Sequence, residues 1–351
     1  MITRRRFLRG AAGLALATGL PHPARGQGRP FVFCSWGGAL SAMEKEAMVD
    51  PAAKKLGVEV THASPTAYAK IKAMVEAKRP EWDLVDVGGR FIFQGRDQDL
   101  VEPIDYSIVD RSLLPAHWYA SHGVYTSAGG TVIAYNTAKF PEGKGPQSWK
   151  DFWDVKTFPG PRGLYKSLYY TYEAAMLGAG VSRTEVYPLS DEKVKLALAR
   201  LTELKPHVKV WWTAGAQPPQ LLASGELAMS SAWNGRILAV MKEKAPVTLT
   251  YKDGIAWANA WVVVKGTPYK DVAMKMINEA IAEEAQTRLL PIGVYAPLNL
   301  KALAKATADQ RLAMATHPDN VKDMLILDEE AGAQLTWNPK YEEWWNKFQL
   351  S

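Results

Sequence analysis

The segment Phe31-Val32-Phe33-Cys34-Ser35-Trp36-Gly37-Gly38 shows the pattern from which the fold follows. The apolar run from Phe31 to Cys34 is rich in aromatic and β-branched residues and predicts a strand, and the two glycines after it predict a tight turn. Helical periodicity then runs from Leu40 to Leu56. A strand, a glycine turn and a helix in that order, repeated along a chain, indicate a parallel sheet covered by helices.

The same alternation recurs along the chain and predicts an α/β fold with helices on both faces of mostly parallel, doubly wound sheets. Further strands are predicted at Val58 to Thr61, Leu84 to Val87, Val132 to Tyr135, Val208 to Trp212, Leu227 to Ser231, Val247 to Tyr251 and Trp261 to Val264. Further helices are predicted at Ala67 to Lys78, Asp191 to Leu204, Gln217 to Ala223, Arg236 to Lys244 and Tyr269 to Ala285. No linker rich in Ser, Gly or Pro divides the chain, so two lobes joined by more than one strand crossing are expected.

Composition excludes several classes of protein. The 351 residues are 47% hydrophobic and 22% charged, which rules out a disordered, collagen-like or disulfide-scaffold protein. The length is typical of two domains. Cys34 is the only cysteine, so no internal disulfide can form, and its apolar surroundings favour a core residue.

The net charge of +6 is concentrated at the N-terminus, where residues 1–26 hold five arginines and no acid. The rest of the chain has 37 basic and 36 acidic residues and therefore lacks a field that would attract nucleic acid.

Residues 1–26 have the order of a signal peptide: a basic start, an apolar run from Gly10 to Leu20, and small residues before the expected cleavage. The apolar run is too short to span a membrane. Arg4-Arg5 followed by Phe7-Leu8 resembles a twin-arginine export signal and predicts a periplasmic protein.

The sequence contains no catalytic signature. There is no Gly-x-Ser-x-Gly motif, no phosphate-binding loop and no Gly-x-Gly-x-x-Gly fingerprint. The six histidines do not have the spacing of a zinc site. Missing motifs do not by themselves exclude an enzyme. The side chains expected in the cleft are mostly aromatic, amide and arginine groups, which bind ligands but rarely transfer protons, so we predict no catalytic residue, no metal, no cofactor and no enzyme activity.

Three predicted strands end in a glycine turn that carries a side chain suited to binding. These junctions are Ser35-Trp36-Gly37-Gly38, Val87-Gly88-Gly89-Arg90 and Ala232-Trp233-Asn234-Gly235-Arg236. Ligands of doubly wound sheets bind outside the carboxyl ends of strands, where glycines allow close approach to the backbone. Trp36 and Trp233 are therefore candidate walls of a ligand site, although each is equally compatible with the core.

The order of segments resembles the periplasmic solute-binding proteins of ABC importers, of the spermidine/putrescine type, within bacterial extracellular solute-binding protein family 1. The resemblance covers essentially the whole mature chain. It is carried by Phe33-Cys34-Ser35-Trp36, Tyr68-Ala69-Lys70-Ile71-Lys72, Trp82-Asp83-Leu84-Val85, Ser148-Trp149-Lys150-Asp151-Phe152-Trp153, Ser224-Gly225-Glu226-Leu227-Ala228, Ala232-Trp233-Asn234-Gly235, Gly254-Ile255-Ala256-Trp257 and Tyr295-Ala296-Pro297-Leu298-Asn299.

This resemblance implies a type II periplasmic binding protein fold, in which two lobes close on a ligand about crossing hinge strands. The crossings are expected near 132–136 and 259–264. Lobe one is expected to hold residues 28–133 plus 260–300, and lobe two residues 134–259 plus 301–351. The implied partners are a small-molecule ligand and an inner-membrane ABC permease complex, and the implied state is a monomer.

The resemblance also implies a departure in the ligand. The aromatic positions of polyamine binders are kept as Trp36, Trp233, Trp257 and Tyr295, but the acidic positions fall on Ser167, Tyr170 and Asn259, and a tyrosine position falls on Arg90. Arg90, Lys166 and Arg236 suit an anion instead, so we expect a ligand with a carboxylate or another oxyanion. The candidate ligand-binding residues are Trp36, Gly37, Gly89, Arg90, Lys166, Ser167, Tyr170, Gln217, Trp233, Asn234, Arg236, Trp257, Asn259 and Tyr295.

Three alternatives remain open at this level. The protein could be a true spermidine/putrescine binder if Glu173, Asp86 or Asp83 points into the cleft. It could bind ferric ion through Tyr169 and Tyr170. It could also deliver its ligand to a sensing receptor rather than to a transporter.

Overall fold

One mixed sheet of ten strands runs through the part of the chain that the structure describes. This computed structural model describes residues 29–141, 143–293 and 295–351, so the predicted signal peptide at 1–26 lies outside it. The strands are β1 (Phe31–Cys34), β2 (Val60–Ala63), β3 (Leu84–Gly88), β4 (Tyr119–Ala120), β5 (Gly123–Asn136), β6 (Arg162–Tyr165), β7 (Val208–Trp212), β8 (Met229–Trp233), β9 (Val247–Val263) and β10 (Leu325–Ile326).

Helices follow most of the strands and cover the sheet. They are α1 (Gly38–Glu44), α2 (Asp50–Leu56), α3 (Tyr68–Glu76), α4 (Arg90–Asp97), α5 (Trp149–Trp153), α6 (Leu168–Gly178), α7 (Asp191–Leu204), α8 (Gln217–Ala223), α9 (Asn234–Lys242), α10 (Lys270–Ile281), α11 (Glu283–Ile292), α12 (Leu300–Ala304), α13 (Ala308–Leu312), α14 (Pro318–Val321), α15 (Glu329–Trp337) and α16 (Pro339–Leu350). A π-helical turn at Lys45–Val49 joins α1 to α2. Within the described residues, none of the helices has the length and apolar character needed to cross a membrane.

The strand order is β2-β1-β3-β9-β5-β8-β6-β7, and two strands connect its two ends. β1 pairs in parallel with β2 and β3, and β6 pairs in parallel with β7 and β8. β5 and β9 are antiparallel to each other and lie between these groups. We call β1–β3 with their helices the first half of the molecule, and β6–β8 with their helices the second half.

The sequence predicts separate strands at Val247 to Tyr251 and Trp261 to Val264, but the structure has a single strand, β9, of 17 residues. The intervening Asp253-Gly254 has the sequence of a turn. Asp253 adopts φ 57 inside the strand, so this dipeptide bends β9 without ending it. The predicted α/β fold class is confirmed. The two expected sheets form one continuous sheet, because β9 pairs with β3 of the first half, β5 pairs with β8 of the second half, and β5 and β9 pair with each other.

The core follows the predicted periodicities where these are strong. α7 spans the predicted residues Asp191–Leu204, is capped by the Ser190 hydroxyl, and buries Val194, Ala197, Leu201 and Leu204. Cys34 is fully buried, as expected for a core residue, and burial raises the pKa of its thiol to about 12. The C-terminal aromatic helix α16 packs Phe348 on Trp211, with ring centres 5.6 Å apart.

Candidate ligand-binding site

A cavity of about 250 Å³ lies where the carboxyl ends of strands from both halves meet. Gly88, Tyr165 and Trp233 are the last residues of β3, β6 and β8, and Trp36 follows β1 by two residues. This is the edge at which doubly wound sheets bind ligands. The cavity is lined by Trp36, Leu40, Thr66, Tyr68, Gly88, Tyr165, Ser167, Tyr169, Tyr170, Trp233, Arg236, Trp257, Asn259, Tyr295 and Thr336.

Eight of these lining residues are aromatic, and their rings contact one another around the cavity. The Trp257 ring lies with its centre 5.3 Å from Tyr295, 6.0 Å from Tyr170 and 6.5 Å from Trp233. On the opposite wall the Trp36 ring meets Tyr68 edge-on at 5.8 Å. Such a wall offers flat apolar surfaces, and ring faces that attract cations.

Two consecutive tyrosines form the most unusual part of this wall. Tyr170 adopts φ 64 and ψ −29 although it is not a glycine, a conformation that costs about 1–3 kcal/mol. The turn stacks the Tyr169 and Tyr170 rings 3.8 Å apart, and the Tyr170 hydroxyl donates to the Tyr169 hydroxyl at 2.8 Å. Backbone strain at this position therefore places both rings at the cavity.

Arg236 is the one charged residue among those that line the cavity. Its Nη2 donates to the Gly37 carbonyl at 2.9 Å, and within the described residues no carboxylate lies within 4.0 Å of its guanidinium. Three lining residues hold buried N–H donors without a partner: Arg236 Nε, Trp233 Nε1 and Asn259 Nδ2. Buried donors are almost always satisfied in native proteins, by protein groups, by water or by a ligand, so these three N–H groups are available to an acceptor in the cavity.

β9 and the segment after α11 fix the remaining wall. Trp257 Nε1 donates to the Thr131 hydroxyl at 3.1 Å, which orients the indole. Ala296 exchanges backbone hydrogen bonds with Ala128 at 2.8 and 3.0 Å and so holds Tyr295 against β5. Burial raises the pKa of the Tyr295 phenol to about 12, and the nearby Arg236 charge opposes the increase. Tyr295 is therefore a neutral hydroxyl at physiological pH.

The structure brings eight of the fourteen predicted ligand-binding residues together at the cavity. These are Trp36, Ser167, Tyr170, Trp233, Arg236, Trp257, Asn259 and Tyr295. Gly37 does not line it, but its carbonyl accepts the hydrogen bond from Arg236 and its φ of 82 suits the turn after β1. The other five predicted residues are elsewhere.

Arg90 and Gly89 do not line the cavity, contrary to prediction. The Arg90 side chain is 4% exposed and forms an ion pair with Glu173, whose side chain is fully buried. A Cβ atom on Gly89 would lie 2.9 Å from the Glu329 carboxyl, so the chain's own carboxylate occupies the space that the sequence suggested for a ligand. Burial opposes the charge on Arg90 and is the largest single influence on its pKa, but the combined attraction of Glu173, Tyr187, Tyr169 and Glu329 outweighs it, so the pKa of Arg90 is raised.

Lys166, Gln217 and Asn234 also do not line the cavity. Lys166 is exposed, which agrees with a solvated surface charge. The Gln217 side chain accepts from the backbone of Thr213 and Ala214 at 2.8 and 3.0 Å and so closes the turn before α8. Asn234 is buried, and its side chain joins the Gly130 backbone to the Tyr251 hydroxyl.

Several lining residues were not predicted. Thr66, Tyr68, Gly88 and Tyr165 lie at or shortly after the carboxyl ends of β2, β3 and β6, so the rule that selected Trp36 and Trp233 could have found them. Thr336 comes from α15 near the C-terminus, and no local signal marks it.

The acidic residues that could serve a polyamine are not among the lining residues. Asp83 pairs with Arg29 through two bonds of 2.7 Å, and Glu173 pairs with Arg90. Asp86 is fully buried beside Glu44. Burial and the Glu44 charge raise the pKa of Asp86, and burial raises that of Glu44 to about 7, so both carboxyl groups are harder to ionise than exposed ones.

The tyrosine pair is poorly suited to ferric ion. Burial raises the pKa of both Tyr169 and Tyr170 well above the ordinary value, which opposes formation of tyrosinates. Within the described residues, no group of three or more His, Cys, Asp or Glu side chains could hold a metal.

The chain is similar to known solute-binding proteins over most of its length. Residues 47–316 match the family described as bacterial extracellular solute-binding protein. The chain is 35% identical to the γ-aminobutyric acid-binding protein of Pseudomonas aeruginosa, over 91% of this chain and 90% of the relative. It is 25% identical to spermidine/putrescine-binding periplasmic protein 1 of Haemophilus influenzae, over 85% of each.

Solved structures of binding proteins are also similar to this chain in sequence and fold. The binding protein MotA of A. tumefaciens in complex with glucopine has a TM-score of 0.86 and 32% identity, with 92% of this chain and 100% of that chain covered. The Atu4243–GABA receptor has a TM-score of 0.81 and 32% identity, with 92% and 98% covered. Of the two relatives compared by sequence, the polyamine-binding protein is the less similar one, so the polyamine type is not established.

A solved ABC transporter substrate-binding protein from Bradyrhizobium japonicum is 36% identical to this chain, with a TM-score of 0.84 and with 91% of this chain and 98% of that chain covered. The relatives are thus solute-binding proteins and not enzymes. With its α/β fold, its cavity at the strand ends and a family match across residues 47–316, this chain belongs to the bacterial extracellular solute-binding proteins of ABC transporters.

Proposed function

We propose that this protein is the periplasmic binding component of an ABC importer for a small zwitterionic carboxylate, with γ-aminobutyrate as the reference ligand. The observation that carries the proposal is Arg236, a cation without a carboxylate partner, in a cavity whose other described lining residues are uncharged. Arginine binds a carboxylate through two parallel hydrogen bonds. The unpartnered donors of Trp233 and Asn259 supply further bonds to the same kind of acceptor.

The aromatic wall suits the cationic end of such a ligand. An ammonium group against the rings of Tyr169, Tyr170 or Trp257 gains about 0.5–2 kcal/mol for each cation–π contact. The ligand's own carboxylate balances Arg236, so with a zwitterion the cavity holds one net positive charge, the ammonium group that the ring faces attract, whereas putrescine would bring the net charge to +3. A polyamine has no such balance, and burying an ammonium without a counter-charge costs several kcal/mol.

The relatives support the same ligand class. Two of them are a γ-aminobutyric acid-binding protein and a GABA receptor, and a third binds glucopine. The cavity of about 250 Å³ is slightly smaller than ordinary ligand pockets of about 300–1,000 Å³, which favours a small ligand such as γ-aminobutyrate.

Closure of two lobes about β5 and β9 is the proposed way of enclosing the ligand. The register of the β5–β9 ladder shifts between Tyr125 and Ser127 and again between Thr131 and Ile133, which are suitable hinge points. The lobes are proposed as residues 28–133 plus 260–300 and 134–259 plus 301–351. Export by the segment at 1–26, action as a monomer and delivery to an inner-membrane permease belong to the same proposal.

Calorimetric titration of the mature protein with three matched compounds tests the ligand class. γ-Aminobutyrate carries both charges, butyrate lacks the ammonium group, and putrescine replaces the carboxylate by a second ammonium group. We expect the order of affinity to be γ-aminobutyrate, then butyrate, with putrescine weakest. Tighter binding of putrescine than of γ-aminobutyrate would refute the charge argument.

A variant of the arginine locates the carboxylate. Arg236→Met should raise the Kd for γ-aminobutyrate by about 100-fold, because loss of one partner of a buried charge pair costs about 2–5 kcal/mol. Lys166→Met is the matched control, since Lys166 is exposed and lies outside the cavity lining. The assignment of Arg236 fails if both variants bind as the wild type does.

A further inference from the structure

Arg90 is held by groups from separate parts of the chain. Besides the ion pair with Glu173 in α6, its Nη1 donates to the Gly332 carbonyl in α15 at 3.0 Å. Its Nε lies 3.7 Å from the Glu329 carboxylate. The Tyr187 hydroxyl donates to Glu173 at 2.6 Å and completes the arrangement. We call Arg90, Glu173, Tyr187, Glu329 and Gly332 the Arg90 cluster.

The Arg90 cluster joins the two halves of the molecule. Arg90 is the first residue of α4, directly after β3 in the first half, whereas Glu173 lies in α6 directly after β6 in the second half. Among the ion pairs of the described residues, Arg90–Glu173 is the one in which both side chains are less than 5% exposed. α15 packs against both α4 and α6. A relative movement of the two halves must therefore break or strain this pair.

The same arginine supports the cavity wall from behind. Its guanidinium carbon lies 4.0 Å from the centre of the Tyr169 ring. Tyr169 in turn stacks on Tyr170, whose backbone is in the unfavourable left-handed region. Strained conformations persist only where surrounding contacts determine them. The arginine is thus one contact away from the ligand cavity without lining it.

We propose that Arg90 and Glu173 form a latch between the two halves, and that Arg90 is a positioning residue that sets the Tyr169–Tyr170 wall when the latch closes. This inference rests on the proposed hinge closure. It adds that forming the Arg90–Glu173 pair on closure also sets the Tyr169–Tyr170 wall, so that the cavity is complete only in the closed state. When the latch opens, both charges regain hydration, which offsets much of the lost attraction. The pair can therefore switch at a moderate cost, and ligand that binds only the complete cavity shifts the balance towards closure.

Distance measurements on ligand-free protein test the latch. Spin labels on Lys54→Cys in α2 and Ala199→Cys in α7 report the separation of the two halves, since both positions are exposed. The native Cys34 is fully buried and does not compete for the label. Glu173→Gln keeps the size and a hydrogen-bonding group but removes the charge. We expect the ratio of long to short distances to rise about tenfold, within the 5- to 150-fold range of typical couplings.

Glu330→Gln is the matched control, because the exposed Arg96–Glu330 pair joins the same helices, α4 and α15, without entering the Arg90 cluster. It should leave the distance distribution unchanged. If Glu173→Gln gives the same distribution as Glu330→Gln, the latch is refuted. This measurement needs no ligand, so it decides the latch even if γ-aminobutyrate does not bind.

A conservative variant tests the positioning role. Arg90→Lys keeps the charge but loses the planar group that stacks on Tyr169. We expect it to weaken γ-aminobutyrate binding at least about fivefold, while Glu173→Gln weakens binding only through the open population. Wild-type affinity in folded Arg90→Lys, judged by circular dichroism, would overturn the positioning role. Absence of binding in the wild type would instead refute the proposed ligand.

Discussion

Two arginines that look alike in the sequence have opposite surroundings in the structure. Arg90 and Arg236 both follow a strand end and a glycine. Arg90 is enclosed by Glu173 and Glu329 and is 3% exposed, whereas Arg236 lies among aromatic rings and has no acidic partner among the residues that the structure describes. An arginine whose charge is already balanced stabilises the fold, and one whose charge is not balanced is available to a ligand. The surrounding residues, and not the local motif, decide between these roles.

The largest expected difference is in stability. Arg90→Met should lower the free energy of unfolding by about 3–5 kcal/mol, because it leaves the buried Glu173 carboxylate without its partner. Arg236→Met should change it by less than about 1 kcal/mol, since no acid loses a partner. Urea denaturation of both variants measures the difference. The double variant Arg90→Met/Glu173→Met should recover most of the loss, and equal losses for the two arginines would contradict the comparison.

The pH dependence of stability sharpens the same contrast. Burial raises the pKa of Glu329 to about 7, with Arg90 opposing the increase and Glu173 adding to it. In the unfolded chain a glutamate has a pKa of about 4.3. Between these pH values the folded protein binds more protons, so the free energy of unfolding falls as pH rises, by about 4 kcal/mol in total for this group.

Glu329→Gln should remove that part of the pH dependence, while the wild type and the control Glu330→Gln retain it. Denaturation at pH 5 and pH 8 measures the slope. Burial also raises the pKa of Glu44 to about 7, so a smaller dependence with the same sign should remain in Glu329→Gln. An unchanged slope in Glu329→Gln would show that this carboxyl is ionised throughout.

A smaller effect is expected at the aromatic wall. A Cβ atom on Gly129 would lie 2.7 Å from Trp257 and 2.8 Å from Tyr295, so Gly129→Ala must displace rings that line the cavity. We expect a loss of about 1–3 kcal/mol in stability from overpacking, together with weaker ligand binding. Gly130→Ala is the control, because it meets the end of the flexible Met324 side chain. Calorimetric titration with γ-aminobutyrate should give a higher Kd for Gly129→Ala than for Gly130→Ala. Identical affinities of the two variants would mean that the ring positions do not determine binding.

The smallest effect is expected at the exposed ion pair beside the Arg90 cluster. Glu330→Gln breaks a contact of 2.9 Å to Arg96, with side chains 62% and 34% exposed. Exposed pairs of this kind contribute about 0–1 kcal/mol, so the melting temperature should shift by a few degrees at most. A loss as large as that of Arg90→Met would mean that burial does not distinguish the two pairs.

The sequence predictions succeeded where a feature depends on residues close together in the chain, and they failed where it depends on residues far apart. β1, β7, α7 and α8 have the predicted bounds, because apolar periodicity and turn residues act within a few positions. β9 was predicted as two strands, because Asp253-Gly254 has turn chemistry. In the structure this dipeptide is an irregularity between two stretches of β9 that both pair with β5. Tyr165 and Tyr68 were missed although they lie near strand ends, whereas Thr336 comes from a helix distant in the sequence.

The sequence by itself determined the α/β class, the strand-end location of the cavity and most of its aromatic wall. The class, the location of the cavity and the choice of Trp36 and Trp233 depend on local patterns and on the rule that the ends of parallel strands converge. Tyr170, Trp257 and Tyr295 were expected from the resemblance to the solute-binding family. The tertiary structure alone decided which charged residue faces the cavity. Glu173 and Glu329 lie 83 and 239 positions from Arg90 and reach it only through folding. Electrostatic balance acts through space, so no stretch of sequence records it.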